Sequence, residues 1–346
     1  MKLKPALYGL ELAEAEKIFG FLAEPSYRAR QLLEWLYRKK VERWEEISNL
    51  PKLLLEKLKS EFSLGALRFK EAVPSLHGQS TKFLFETGDG HLLESVLISQ
   101  QGRETVCVST QLGCKMKCVF CASGKSYSRN LTAGEIVEQV AQIEKSRKKR
   151  VTNVVFMGMG EPLDNFEMTM KALRILQADW GFDLGARRIT VSTVGITPKI
   201  ETFVRQMEGR VRLSVSLHSS SDKLRNEIVP INRRYSLVAL KKTLGQIHKK
   251  LKREITFEYT LLEGVNDTPE EARGVAALAK PLGAKINLIP YNPIKEASFK
   301  RPPQKRIEAF REILSKAGLR VTVRQTAGRD INAACGQLRL DRESGK

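Results

Sequence analysis

The spacing of apolar residues changes character twice along the chain. Up to about residue 62 it has a helical period only. Leu10 to Gly20 is apolar at helical spacing and ends in glycine. Ser26 to Lys40 puts Ala29, Leu32, Leu33, Leu36 and Tyr37 on one face, with Ser26 placed as an N-cap. Pro51 starts a third helical segment through Lys59, because proline is tolerated in a first turn. Residues 80 to 100 alternate with period two instead. Thr81 to Glu86, the turn Gly88-Asp-Gly90, and Leu92 to Ile98 predict a β-hairpin. Glu94 falls among the apolar residues of its second strand, where burial of a carboxylate needs a reason.

From residue 105 strand and helix patterns alternate. Strands are predicted at Thr105–Thr110, Val151–Met157, Arg188–Ser192, Val211–Leu217, Ile255–Leu262, Lys285–Pro290 and Arg320–Arg324. Amphipathic stretches lie between most of them: Thr132–Lys145, Asn165–Asp179, Leu237–Lys250, Pro269–Lys280 and Pro303–Ala317. Repeated βα units imply a parallel sheet with helices outside. About six units predict an α/β fold with a partial, open (βα)6 barrel. The chain divides into an all-helical accessory domain (1–62), a linker with the β-hairpin (63–99) and the barrel (100–346). Parallel barrels carry their sites at the C-terminal ends of the strands, so chemical residues should follow strands.

Composition narrows the partners. Of 346 residues, 59 are Lys or Arg against 39 Asp or Glu, a net charge of +20. That excess fits a polyanionic partner, nucleic acid or an acidic membrane surface. The N-terminal helices then read either as an RNA-contacting module or as a plain cap on the barrel. No apolar run reaches about 18 residues, so no membrane span is expected. The first residues lack a signal peptide's apolar core. Five cysteines do not suggest a secreted disulfide framework. A reducing cytoplasm is expected.

Three of those cysteines, Cys114, Cys118 and Cys121, lie within eight residues. Soft thiolates suit an iron–sulfur cluster, zinc or Cu(I). Structural zinc closes its tetrahedron with a fourth Cys or His; the nearest histidines in sequence are His91 and His218. Three cysteines can hold three corners of a [4Fe-4S] cubane and leave one iron open to a substrate. The cluster is the favoured reading. Other polar residues also follow strands: Gly158-Met-Gly160-Glu161, Ser192-Thr193, Ser216-Leu217-His218 and Tyr291-Asn292. Each alone is ordinary turn chemistry, but together they mark one rim. Cys335, after the last strand, reaches that rim too. Its small neighbours and nearby Arg329 and Arg339 suggest an exposed, reactive thiol. Cys107, by its own context, reads as a small buried apolar residue.

The spacing CxxxCxxC with Phe120 before the last cysteine resembles the signature of radical S-adenosylmethionine (SAM) enzymes. The chain further resembles the dual-specificity radical-SAM RNA methyltransferases of the RlmN/Cfr type. The matching stretches are Cys107-Val-Ser-Thr-Gln-Leu-Gly-Cys114, Phe156-Met-Gly-Met-Gly-Glu-Pro, Val191-Ser-Thr-Val-Gly, Ser216-Leu-His, Pro230-Ile-Asn, Glu258-Tyr-Thr-Leu-Leu-Glu-Gly-Val-Asn-Asp, Asn287-Leu-Ile-Pro-Tyr-Asn-Pro and Ala333-Ala-Cys335-Gly-Gln. They cover most of residues 80 to 340.

The resemblance implies a radical-SAM barrel with a [4Fe-4S] cluster on Cys114, Cys118 and Cys121, and two SAM molecules per turnover. It implies SAM contacts at Gly160, Glu161, Ser192, Ser216, Leu217, His218 and Asn292. Cys335 is implied as methyl carrier, Cys107 as the thiol that resolves the protein–RNA adduct, and Glu94 as proton acceptor. The implied substrates are 23S rRNA and tRNA, methylated at adenosine C2, by a monomer supplied with electrons by flavodoxin or ferredoxin. Glu161-Pro162 and Asn287-Leu-Ile-Pro290 look more like the C2 branch than the C8, Cfr branch. The alternatives are a C8 enzyme, a different radical-SAM enzyme, and a non-catalytic RNA-binding protein.

Overall fold

A computed structural model describes residues 4–76, 78–295, 297–324, 328 and 330–338 of the chain. Arg329 and Arg339 lie outside the described residues. The helical N-terminal stretch forms α1 (Leu12–Phe21), α2 (Tyr27–Leu33) and α3 (Lys52–Glu61). Two details differ from the sequence reading. Ser26 has helical dihedrals (φ −59°, ψ −31°) and makes no capping bond, because the turn already starts at Pro25, whose carbonyl accepts from Arg28 N–H. Pro51 sits at the N-cap rather than inside the first turn. Beyond α2 the chain winds on as a wider π-helix over Glu34–Lys39, burying Trp35, Leu36 and Tyr37. Tyr37 ties this module together: its hydroxyl donates to Leu10 O (2.8 Å) and accepts from Gly9 N–H (3.0 Å), and its ring meets Trp180 and Phe182 of the main body.

The predicted hairpin forms as β2 (Ser80–Thr87) and β3 (Leu92–Gln100), but an unpredicted strand precedes it, β1 (Leu67–Pro74). Between Leu67 and Val73 its side chains are exposed, so no clean alternation announces it. All three run antiparallel, and β3 pairs antiparallel with β4 (Arg103–Cys107). The linker thus continues directly into the main sheet. A short clasp, β5 (Gln111–Gly113) with β6 (Tyr127–Asn130), brackets the cysteine loop and was not foreseen either.

Parallel strands follow: β7 (Asn153–Phe156), β8 (Ile189–Thr193), β9 (Arg212–Ser216), β10 (Thr256–Leu261), β11 (Lys285–Pro290) and β12 (Val321–Val323). The ten-stranded sheet has the order β1-β2-β3-β4-β7-β8-β9-β10-β11-β12, so it has two free edges and stays open. Helices α4 (Ala133–Arg147), α5 (Phe166–Gln177), α6 (Thr197–Gln206), α7 (Asp222–Ile228), α8 (Leu237–Ile247), α9 (Pro269–Ala279) and α10 (Gln304–Lys316) connect them. This is a radical-SAM type of α/β sheet. Several helices start at side-chain caps the sequence supplies. Thr132 with Glu135 forms a capping box on α4, while Ser236 and Thr268 accept from Ala239 and Glu271 N–H.

The two faces of the parallel strands differ. Residues packed against the helices, such as Val106, Val154, Val191, Val215, Tyr259 and Leu288, are fully buried. Those on the inner face, such as Thr105, Thr190, Thr256 and Asn287, stay half-buried. The apolar core is therefore the helix–sheet layer, and the inner face is left as a polar trough. No helix among the described residues is long and apolar enough to cross a membrane.

Candidate active site

The trough opens at the C-terminal ends of the strands into one cavity. Cys114, Cys118 and Cys121 line one side, and Cys335 and Asn292 the other. Gly160, Glu161, Ser192, Ser216 and His218 line it between them. Three predicted residues are outside this lining: Leu217, Cys107 and Glu94.

The cysteine loop is shaped by its clasp. Cys114 N–H donates to Ser126 O (2.8 Å), and Lys117 turns the loop with φ +57°. Its far end is pinned to the C-terminal segment: Ala122 N–H donates to Gly336 O (2.8 Å). Burial pushes all three thiols up, Cys118 to about 12, with Cys121 the next cause. Such sulfurs become thiolates when they bind a metal. Among the described residues no three His, Cys, Asp or Glu close on a single ion. Cluster corners bind separate irons, so three thiols spread around one dry cavity fit a [4Fe-4S] cluster.

The opposite wall fits SAM. Gly160 has φ +100°, and a Cβ there would stand 2.6 Å from Gln111 Cβ, so glycine is required where this turn presses on the loop before the cysteines. Glu161 accepts from Leu163 N–H (3.0 Å) and Val194 N–H (2.8 Å), and burial raises its carboxyl to about 7. His218 is buried, which drops it to about 3 and keeps it neutral. Its Nδ1 accepts from Thr260 N–H (3.0 Å), leaving Nε2 as the ring donor. Asn292 donates to Cys335 O (3.2 Å), while its own Oδ1 is buried without a partner among the described residues. A buried, unpaired carboxamide oxygen on a cavity wall calls for a donor from a ligand.

Sequence reasoning missed the residue that holds this rim. Arg225 is fully buried and donates to Leu217 O (2.8 Å), Ser216 O (2.9 Å), Val194 O (2.6 Å) and Asn232 Oδ1 (2.6 Å). It joins the loops after β8 and β9, so Leu217 enters through its backbone. Nothing but its place after a strand could have flagged it.

Arg324 was missed as well. It follows β12, and its Nη1 donates to the Cys335 sulfur at 3.0 Å. Cys335, Glu258 and Cys107 all hold the guanidinium in its charged form, Cys335 most strongly. The basic group beside Cys335 is thus Arg324. Burial lifts the Cys107 thiol to about 12, with Cys335 the next cause. Glu258 on β10 accepts from Ser214 and Asn287 side chains, and burial raises its carboxyl. The available signal was a carboxylate inside an otherwise apolar strand for Glu258 and a place just after a strand for Arg324.

Glu94 lies on the face of β3 that carries Val96, and Val96 pairs with Cys107. It is buried and bonded by Lys82 Nζ at 2.9 Å, and its backbone carbonyl accepts from Ser109 Oγ (2.7 Å). It therefore stands beside the cavity on the Cys107 side, with its charge met by a lysine.

Residues 108–275 match the family model of the Radical SAM superfamily, and residues 6–64 match that of the ribosomal RNA large subunit methyltransferase N-terminal domain. The chain is 44% identical over 340 residues to a probable dual-specificity RNA methyltransferase RlmN of Desulforamulus reducens, covering 98% of this chain and 97% of the other. It is 45% identical over 317 residues to one of Clostridium botulinum, covering 91% of each. A crystal structure of a radical SAM methyltransferase from Sphaerobacter thermophilus superposes with a TM-score of 0.93 at 43% identity, covering 98% of this chain and all of that one. Radical SAM enzymes of this kind use a [4Fe-4S] cluster and SAM, two molecules per turnover. The chain belongs to the RlmN family of radical SAM RNA methyltransferases.

Proposed function

We propose that the protein methylates C2 of an adenosine in 23S rRNA and in tRNA, with Cys335 as the methyl carrier. The observation that carries this reading is the hydrogen bond from Arg324 to Cys335 on the wall of the cavity that Cys114, Cys118 and Cys121 share, with Cys107, outside that lining, acting on the same guanidinium. An aromatic ring carbon is not nucleophilic enough to take a methyl cation from SAM directly, so a carrier is needed.

Cys335 displaces the methyl from a first SAM, leaving S-adenosylhomocysteine. Arg324 holds that sulfur in place for attack through the hydrogen bond from its Nη1. Cys114, Cys118 and Cys121 would hold the cluster, and Gly160, Glu161, Ser192, Ser216, Leu217, His218 and Asn292 would hold the second SAM. When bound, cluster and SAM supply the radical that takes a hydrogen atom from the S-methyl group. The carrier carbon then bonds to the adenine ring, Glu94 takes the ring proton once Lys82 releases it, and the one unpaired electron of the adduct passes to the electron-transfer partner. Cys107 thiolate attacks the Cys335 sulfur, the bond from that sulfur to carbon breaks with its electron pair left on the carbon, that carbon takes up a proton to become the methyl group, and the two sulfurs join as a disulfide. External reductant restores both thiols. A monomer in the cytoplasm, fed by flavodoxin or ferredoxin, fits this chemistry.

The test is nucleoside mass mapping of 23S rRNA and tRNA after reaction with the anaerobically reconstituted protein. Expected is 2-methyladenosine in both. 8-Methyladenosine would transfer the chain to the C8 chemistry, and methylation of neither RNA would overturn the reading.

A further inference from the structure

The inner face of the barrel continues below the catalytic cavity. Barrels of parallel strands normally fill that space with branched apolar side chains. Here the inward positions are Thr105, Val155, Thr190, Ser214, Thr256, Asn287 and Thr322, polar but for Val155. At the N-terminal ends of the strands the same face ends in cations. Arg103 shares the face of Cys107, Arg212 that of Ser216, and Lys285 that of Ile289. Arg212 and Lys285 line a cavity of about 620 Å³, joined by Lys252 and Arg253 from the loop before β10. Its one carboxylate, Glu254, is bonded to Arg320.

Among the described residues Arg103, Arg212 and Lys285 have no ion-pair partner. A lysine or arginine on an open convex surface needs none. Here Lys285 is half-buried and Arg212 and Arg253 are exposed, but all three line one hollow rather than a convex surface. Burial, then Arg253 and Arg103, lower Arg212; burial, then Arg212, lower Lys285. Like charges gathered around one hollow repel, and an anion placed among them relieves the repulsion.

We propose that the floor of the barrel, built from Arg212, Lys285, Lys252 and Arg253, is a binding site for a phosphate group. The phosphate comes from the backbone of the RNA or from a free phosphate. The site lies at the opposite end of the strands from the cysteines and is independent of how methyl transfer is read.

The experiment compares the full-length protein with the double variant Arg212→Gln/Lys285→Gln. Thermal unfolding is followed while inorganic phosphate or pyrophosphate replaces chloride at constant ionic strength. The expected result is a saturable rise in Tm for the parent, absent in the double variant and kept in Lys285→Arg. Without phosphate the double variant should melt at or above the parent's Tm, because repulsion has been removed. In a second arm, RNA binding is measured against salt concentration. If the RNA backbone is the source, the slope of log affinity against log salt falls by about 0.7–0.9 for each phosphate that the variant no longer neutralises. A double variant that loses the phosphate effect but keeps the parent's RNA slope assigns the site to a free phosphate. Equal phosphate shifts in parent and double variant, or a double variant that melts lower without phosphate, would overturn the proposal.

Discussion

Arg324 Nη1 stands 3.0 Å from the sulfur of Cys335, and Glu258 and Cys107 flank the same guanidinium. A hydrogen bond to a charged partner contributes about 1.5–3 kcal/mol. Removing it should slow attack of Cys335 on SAM by about 10- to 150-fold. Arg324→Met is expected to show that loss in single-turnover transfer of labelled methyl to the protein. Arg324→Lys should recover only part, since an ammonium cannot match the reach and planarity of the fork. Parent-like rates in Arg324→Met would remove Arg324 from the reaction.

Cys335→Ala should abolish label on the protein while leaving the iron content intact. Cys107→Ala should take the label normally and then remain covalently joined to RNA. Because burial lifts the Cys107 thiol to about 12, it is protonated at neutral pH and must give up its proton to act. Release of RNA from the adduct should therefore accelerate as pH rises from 7 to 9, while adduct formation need not follow. Free methylated RNA from Cys107→Ala at normal turnover would exclude a resolving role.

What the sequence revealed and what it hid follow one division. The parallel strands were legible because each is a short apolar run between amphipathic helices, and their C-terminal ends located Gly160, Ser192, Ser216 and Asn292. β1 was hidden because most of its side chains are exposed and its pairing is set by β2. β5 and β6 were hidden because a clasp of a few residues has no periodicity. Arg225 and Arg324 were hidden for a different reason. An arginine reads as surface charge until the backbone carbonyls, or the sulfur, that surround it are brought from distant loops. Arg329 and Arg339 were the visible basic neighbours of Cys335 in sequence, whereas Arg324 is the one that touches it.

Arg225 supports the rim proposed to hold SAM through four acceptors, three of them backbone carbonyls. A buried acceptor left without its donor costs about 1–3 kcal/mol. Arg225→Lys can serve one or two of the four, so it should destabilise the protein by about 2–4 kcal/mol. It should also weaken SAM binding, because Ser216 and Leu217 lose their fixed positions. Denaturant unfolding together with SAM titration checks both. A destabilised variant with parent-like SAM affinity would limit Arg225 to a structural role.

Glu138 gives the protein a pH dependence far from the catalytic cavity. On α4, its carboxylate accepts from Ala66 N–H (2.8 Å), Leu67 N–H (3.1 Å) and Gln142 Nε2 (2.9 Å), joining the linker before β1 to the main body. Burial nevertheless dominates and raises the carboxyl from 4.5 to about 7. Between those values the folded chain binds a proton that the unfolded chain has released. Its contribution to stability is complete below pH 4.5 and is lost as pH rises through 7, with a slope of at most about 1.4 kcal/mol per pH unit. Glu138→Gln keeps an acceptor for the two backbone N–H groups and cannot ionise. It should flatten the fall in Tm between pH 5 and 7 and melt above the parent at pH 8. Parallel Tm profiles for the two proteins across that range would show that Glu138 stays ionised in the fold.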